Sequence, residues 1–332
     1  MIINHAVLHI LDFHSDICVF SQKEMDLKNA AVVSFVEKHI QRIFKDNKCQ
    51  TGIFKSESWF LDALTQYCKS QVELIDFSNK IANILHDSIS ISDKRSSLDI
   101  LVLDFDNDTE SYFAILLIEC KRAFTHQVIN QGGVVENSII EHYAILPNAN
   151  QKIDSFAIIK KDSRAILLSD KRRYIEGQDV FVISERLLQC STEISSGDAL
   201  KAVNTIITKV AEQHGENAAV VLSKAKNYIM ENSEISATLS PVELGKELFA
   251  DSEELQDAFE SMVEEAQIPS KVEVPKNLAI KTGKNHRIRT DTGIEITFPA
   301  EYFENHEFIE FINNANGTIS IQLKNIGKII NR

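Results

Sequence analysis

Residues 98–122 read LDILVLDFDNDTESYFAILLIECKR, and the rest of the N-terminal half is best understood from this stretch outward. Two runs rich in Ile, Leu, Val and Phe, at 100–105 and 112–118, flank the polar segment 107–110, whose composition is typical of a turn. The runs therefore predict an antiparallel β-hairpin. Because both alternating faces of the strands are apolar, we expect the hairpin to lie inside a sheet that is covered on both sides.

The hairpin carries charged side chains at its open end. In the register that we expect, Asp106 lies opposite Tyr112, and Asp99 then lies opposite Glu119. Lys121 follows on the same face, two residues beyond Glu119. Opposed carboxylates repel each other unless a cation lies between them. This arrangement predicts a divalent metal, Mg²⁺ or Mn²⁺, with Asp99 and Glu119 as its ligands.

An aspartate followed by Glu-x-Lys on the next strand resembles the motif of the PD-(D/E)xK nuclease superfamily, down to the IECKR ending at 118–122. The resemblance implies that Asp99 and Glu119 hold the metal, which polarises the scissile phosphate and activates a water. It implies that Lys121 stabilises the developing negative charge.

The same resemblance makes Gln127 a candidate catalytic residue, because a glutamine follows the Glu-x-Lys strand in some branches of the superfamily. Gln127 and Gln131 are four residues apart and would share one face of a short helix. The residues leave plainer alternatives open. Glu119 could form an ion pair with Lys121 or Arg122 at the strand end, and Gln127 could lie on a solvated helix face.

Length and composition set the class of protein. The chain has 332 residues, of which 44% are hydrophobic and 25% charged, as in ordinary soluble globular proteins, and it is long enough for two or three domains. It shows no secretory leader and no apolar run near the ~18 residues of a membrane span, so we expect a cytoplasmic protein without membrane contact. The five cysteines show no zinc spacing, and there is no G-x-S-x-G or Walker motif, which argues against serine hydrolases and P-loop enzymes.

The net charge of −13 is unusual for a nucleic-acid-binding protein, so the distribution of charge matters more than its sum. Residues 231–265 contain eleven Asp or Glu and a single lysine. Local basic patches can still bind phosphate on such a chain. The candidate DNA-binding residues form two basic clusters, Lys160, Lys161, Arg164, Lys171, Arg172 and Arg173, and then Lys281, Lys284, Arg287 and Arg289. For the second cluster, a basic sheet edge that prevents strand pairing is an equal alternative.

The pattern of the whole chain predicts an α+β fold in three parts. Residues 1–190 combine helices with a mixed, mainly antiparallel sheet and carry the hairpin with its charged end. Residues 195–267 are predicted to form an acidic helical segment, which could face a protein partner. Residues 271–332 are predicted to form a small β-rich domain with the second basic cluster.

The order of these elements resembles the bacterial 37-kDa nucleoid-associated protein family. The resemblance is carried by TGIFKSES at 51–58, by FTHQVINQGGVVENSIIEHYAILPNANQKIDSFAII at 124–159, and by FPAEYFENHEFIEFINNANGTISI at 298–321. It implies a cytoplasmic, nucleoid-associated, DNA-binding protein. The family has no established catalytic residues, so the trio Asp99, Glu119 and Lys121 is a departure from it.

Three functional hypotheses follow. The leading one is a nucleoid-associated protein that contacts the DNA backbone without strong sequence preference. The alternative is a Mg²⁺-dependent DNA nuclease of the kind that acts in genome defence, which would use Asp99, Glu119 and Lys121. The third is a protein-interaction module, in which the acidic helical segment binds a partner or forms a homodimer.

Overall fold

The computed structural model describes residues 1–299, 302, 307–314 and 318–329. The chain divides into two compact units, Met1–Ser195 and Ser196–Arg332. Both contain helices and antiparallel strands, which confirms the predicted α+β class. The finer division of the second unit into a helical and a β-rich part stays a prediction.

The first unit is built on an eight-stranded antiparallel sheet with the order β12-β3-β9-β8-β5-β4-β1-β2. The strands of this unit are β1 (Ile2–Asp12), β2 (Ile17–Val19), β3 (Gln50–Phe54), β4 (Leu98–Asn107), β5 (Glu110–Glu119), β6 (Lys121–Gln131), β7 (Val134–Ile145), β8 (Ser155–Lys160), β9 (Ile166–Ser169), β10 (Arg172–Ile175), β11 (Gln178–Phe181) and β12 (Cys190–Thr192). Its helices are α1 (Ala30–Phe44), α2 (Trp59–Cys68), α3 (Leu74–Ser90) and a π-helix at Val182–Leu188.

Helices cover both faces of this sheet, as the apolar pattern predicts. One face packs against α2, α3 and the π-helix through a cluster that contains Phe60, Phe77 and Phe113. The other face packs against α1 through Val36 and Ile40. Two of these helices begin at conventional caps: the Asn29 side chain accepts a hydrogen bond at the start of α1, and the Ser58 hydroxyl does so for α2. The β4–β5 hairpin is therefore an interior pair of strands.

The predicted register of this hairpin is wrong by one residue. Leu98 lies opposite Glu119, and Asp99 lies opposite Ile118. The connection is a two-residue turn at Asp108 and Thr109 rather than a longer loop, and Asp108 has a φ of +55°, which aspartate tolerates better than most residues. Since side chains alternate along a strand, Asp99 and Glu119 point to opposite faces of the sheet.

The predicted short helix after the hairpin is a strand. β6 and β7 form a separate two-stranded ribbon, here called the arm, which leaves the sheet at Cys120. Gly132 and Gly133 connect its strands, and their φ angles of +60° and +84° are those that a tight two-residue hairpin turn requires. The strands on either side contain several Val and Ile residues, which favour strands over helices.

The second unit begins with helices and ends with β-hairpins. Its elements are α4 (Ser196–Gln213), α5 (Ala218–Ile235), β13 (Thr238–Leu239), α6 (Pro241–Leu248), α7 (Glu253–Glu265), β14 (Val272–Glu273), α8 (Lys276–Gly283), β15 (Asn285–Arg289), β16 (Glu295–Pro299), β17 (Ile309–Asn313) and β18 (Ile319–Leu323). In the described ranges, none of the helices has the length and apolar character needed to cross a bilayer.

Candidate nucleic-acid interface

The first predicted basic cluster is split between the two ends of the sheet. Lys160, Lys161 and Arg164 lie at the β8–β9 turn, where Lys160 pairs with Glu110, and Lys161 donates to Asp104 at 2.8 and 2.9 Å. Lys171, Arg172 and Arg173 follow β9 at the opposite end, about five residues or roughly 17 Å along the strand direction. The six side chains therefore do not form one patch.

Glu119 lies at the centre of this second end and is held by cations of its own chain. Lys171 Nζ donates to both of its carboxylate oxygens, at 2.9 and 3.0 Å, and Arg173 Nη2 approaches to 3.5 Å. The Ser96 hydroxyl donates at 3.4 Å. The Arg173 side chain is only 6% exposed, so its charge is balanced largely by Glu119. The sequence suggested Lys121 or Arg122 as the ion-pair partner of Glu119, but the observed partners are Lys171 and Arg173.

Asp99 lies apart from Glu119, in apolar surroundings on the other face. Burial, together with the negative charge of Asp12, raises the pKa of Asp99 to about 6. The Cys120 thiol donates to its carboxylate at 3.9 Å. Compared with a carboxyl in water, this environment stabilises the neutral form of Asp99 relative to its charged form.

The four predicted catalytic residues do not converge. Lys121 begins the arm, and Gln127 lies six residues further along it, roughly 20 Å away, where it faces Ser138 on β7. Asp99 and Glu119 are on opposite faces of the sheet, and Glu119 is already paired with two cations. Among the described residues, no group of three or more His, Cys, Asp or Glu is placed to hold a metal ion. The residues therefore do not fit Mg²⁺ or Mn²⁺ in the predicted manner, and no catalytic step follows from them.

The raised pKa of Asp99 predicts how stability depends on pH. The folded protein holds this proton more tightly than the unfolded chain, whose carboxyl has a pKa near 3.8. As pH rises from about 4 to above 6, the free energy of unfolding therefore falls. Asp99→Asn cannot ionise, so we expect it to raise the free energy of unfolding by about 1–3 kcal/mol at pH 8 and to have little effect at pH 4. Urea unfolding at both pH values measures this.

Asp106→Asn is the control for that experiment. Hydrogen bonds from Ser111 and Asn4 lower the pKa of Asp106, so its replacement should reduce stability at pH 8 rather than increase it. Equal stabilities of Asp99→Asn and the wild type at pH 8 would contradict the assignment of a buried, charged Asp99.

Three adjoining cavities surround Glu119, which lines all of them. Their volumes are about 530, 70 and 310 Å³. Eight basic side chains line the cavities and are here called the basic rim: Lys94, Arg95, Lys121, Arg122, Lys152, Lys171, Arg172 and Arg173. Only four acidic side chains share these walls: Asp93, Glu119, Asp154 and Asp179. This end of the sheet is therefore locally positive on a chain of net charge −13.

Half of the cations of the basic rim are already paired with carboxylates of the same chain. Lys152 pairs with Asp46 at 2.9 Å and Arg172 with Asp179 at 3.1 Å, while Lys171 and Arg173 share Glu119. The other four, Lys94, Arg95, Lys121 and Arg122, make no ion pair with any described residue. Arg122 stacks over the Tyr143 ring at 5.1 Å. These four cations remain available to an anionic ligand.

The topology of the sheet explains why these residues meet. Lys94 and Arg95 precede β4, and Lys121 and Arg122 follow β5, so the hairpin brings both pairs to one end. The Cys120 amide donates to the Ser97 carbonyl at 3.1 Å, which fixes the two segments together. The sequence interpretation missed Lys94, Arg95, Arg122 and Lys152 as DNA-binding candidates. For Lys94, Arg95 and Arg122 the signal was present, because residues just before and just after a hairpin must be neighbours. Lys152 precedes β8, and no such pattern marks it.

The second predicted basic cluster lies in the second unit. Lys284, Arg287 and Arg289 are exposed at the end of α8 and along β15, and Arg287 pairs with Glu295 on β16. The Lys281 side chain lies outside the described residues. This cluster stays a prediction as a DNA contact.

Comparison with known proteins identifies the family of the chain. The profile of a family described as nucleoid-associated protein YejK matches residues 7–330, nearly the whole length. A search of curated proteins found no match. The chain therefore belongs to this family of nucleoid-associated proteins, which confirms both the resemblance predicted from the sequence and the expected location at the nucleoid.

Proposed function

We propose that the protein binds double-stranded DNA through its phosphate backbone, without strong sequence preference, and that the basic rim supplies the principal contacts. The observation that carries this proposal is the set of four cations around Glu119 that form no ion pair within the described part of the chain, on a protein of net charge −13. Lysine and arginine side chains at such a surface bind phosphates by displacing condensed counterions.

The character of the rim favours backbone contact over base readout. Phosphate contacts fix the position of a protein on the duplex but carry no sequence information. The excess acid elsewhere, above all in residues 231–265, disfavours contact between those surfaces and DNA and so concentrates binding at the rim. Membership of a nucleoid-associated family supports DNA as the ligand. A homodimer, or a protein partner for the acidic helices, stays a prediction.

The salt dependence of DNA binding tests the proposal. Fluorescence anisotropy with a labelled duplex, at several salt concentrations, should show a steep fall in affinity as salt rises. Arg95→Ala removes one unpaired cation of the rim. We expect it to lower affinity about 8-fold near 0.1 M salt and to reduce the slope of log K against log salt by about 1.

Lys69→Ala is the matched control, because Lys69 is an exposed lysine of the same unit at the other end of the sheet, beyond α2. It should leave both affinity and slope nearly unchanged. Equal losses for Arg95→Ala and Lys69→Ala would show that binding reflects general charge, and a flat salt dependence in the wild type would rule out phosphate contact.

A further inference from the structure

The arm is long and open on both sides, and its pairing is regular from Ala123 to its tip. β6 and β7 pair over eleven and twelve residues, or roughly 36 Å at about 3.3 Å per residue. Among the described residues, no third strand pairs with either of them. An isolated two-stranded ribbon in water is only marginally stable, so a ribbon of this length is better explained by a bound partner than by solvent exposure alone.

One face of the arm carries an exposed apolar stripe. The register places Phe124, Val128, Val135 and Ile139 on this face. Their exposed fractions are 75%, 60%, 60% and 78%, so each side chain stands almost free in solvent. Exposed apolar side chains grouped in this way mark a binding surface more often than isolated ones do.

Each cross-strand pair on this face combines one apolar and one hydrogen-bonding side chain. Ile139 lies opposite His126, Val128 opposite Asn137, and Val135 opposite Asn130. A protein interface of the stable kind has a contiguous apolar centre, whereas this face alternates apolar groups with the polar side chains of His126, Asn130, Asn137 and Glu141. The floor of the DNA minor groove offers hydrogen-bond acceptors beside apolar sugar and base surfaces, which suits such an alternation.

The dimensions of the arm disfavour a second copy of the chain as the occupant. A face of roughly 36 by 10 Å buries only about 400 Å² on each partner, about half of what a standard protein interface buries. A DNA ligand does not require this face to bury as much area, because the neighbouring basic rim supplies electrostatic affinity.

The arm grows directly out of the basic rim. Lys121 and Arg122 are both its first residues and members of the rim. Between Ala123 and Val135 the sequence contains no Asp, Glu, Lys or Arg, so β6 beyond Arg122 and the tip of the arm carry no acid that repels phosphates. Glu136 and Glu141 are the acids of β7, and Glu141 shares the apolar face with Phe124.

We propose that the arm enters the minor groove of the DNA held at the basic rim, and that its apolar face, led by Phe124 and Ile139, wedges between base steps and bends the duplex. This inference rests on the proposed DNA binding. Apolar wedges of this type unstack base steps and bend DNA toward the major groove. The rim would supply affinity, and the arm would supply deformation.

DNA bending by arm variants tests this inference. A duplex of about 30 base pairs with a donor and an acceptor dye at its ends reports bending as energy transfer. We expect the wild type to increase transfer and the Phe124→Ala/Ile139→Ala double variant to lose most of that increase. Its affinity should fall less than 10-fold, and its salt slope should stay unchanged, because its rim is intact. Distamycin, which occupies the minor groove, should reduce bending by the wild type.

The Thr125→Ala/Val134→Ala variant is the matched control. Both residues are exposed and lie on the opposite face of the arm, so bending should stay at the wild-type level. Glu141→Gln removes a negative charge from the apolar face and should strengthen binding, which gives a readout that misfolding would not mimic.

Two outcomes would overturn the inference and can be told apart from failure of the proposed function. Unchanged bending by the double variant, with a normal salt slope, would overturn the arm's role while DNA binding stood. A wild type that sediments as a dimer, and a double variant that sediments as a monomer with unchanged bending, would make the stripe an interface between copies. Absence of DNA binding by the wild type would instead overturn the proposed function itself.

Discussion

Glu119→Gln is expected to tighten DNA binding by roughly 8- to 60-fold near 0.1 M salt. The substitution removes the carboxylate that Lys171 and Arg173 share and so frees one or two cations of the basic rim. Each additional phosphate contact contributes about 0.9 to the salt slope, or about 8-fold in affinity at 0.1 M. Anisotropy titrations at several salt concentrations measure both quantities. The same substitution would abolish activity in a nuclease that used Glu119 as a metal ligand.

Glu110→Gln provides the control for this experiment. It frees Lys160 in the same way, but at the other end of the sheet and away from the rim. It should change DNA affinity less than 2-fold. We also expect Glu119→Gln to lower the free energy of unfolding by about 1 kcal/mol, because it leaves the buried Arg173 with one fewer partner. An affinity that fell, or did not change, would place the DNA elsewhere on the molecule.

Phe113→Ala is expected to lower the free energy of unfolding by about 3–5 kcal/mol. Phe113 is fully buried on β5, and its ring centroid lies 5.0 Å from that of Phe77, 5.5 Å from that of Tyr67 and 6.2 Å from that of Phe60. Removing it leaves a cavity in the contact between the sheet and helices α2 and α3, which rigid strands cannot close. Urea unfolding followed by circular dichroism measures the loss.

Phe124→Ala makes the same chemical change on the exposed face of the arm. We expect it to alter the free energy of unfolding by no more than about 0.5 kcal/mol. A loss below about 1 kcal/mol for Phe113→Ala would show that this aromatic cluster relaxes around the cavity and is not a rigid part of the core.

The class of the fold could be predicted from the sequence, but the register of its central hairpin could not. The runs at 100–105 and 112–118 are apolar on both faces, which correctly indicates interior strands. For the same reason, a shift of one residue exposes no apolar side chain to water, and the hydrophobic pattern does not choose between registers. Only the turn decides, and the polar segment from Asn107 to Glu110 is compatible with a two-residue turn, which gives the observed register, and with a three-residue turn, which gives the predicted one.

The candidate site could be predicted only in part. Lys171, Arg172 and Arg173 are among the predicted DNA-binding residues, and the structure places them beside Glu119. Their separation from Lys160 and Lys161 depends on the short β8–β9 hairpin, which turns the chain back within the cluster. The ion pair of Glu119 with Lys171 spans 52 residues and depends on the order of the strands. A local sequence pattern does not predict contacts between residues that are far apart in the chain.

The position of β3 in the sheet has a consequence for how the protein is made. Its two sheet neighbours are β9 and β12, so Gln50–Phe54 has no strand to pair with until the chain has been synthesised past Ile166. Roughly 110 residues intervene, and at about 5–20 residues per second the ribosome needs on the order of 10 s to supply them. For that interval the nascent chain carries an unpaired strand with both edges open, and the second half of the sheet can close only when translation has passed Thr192.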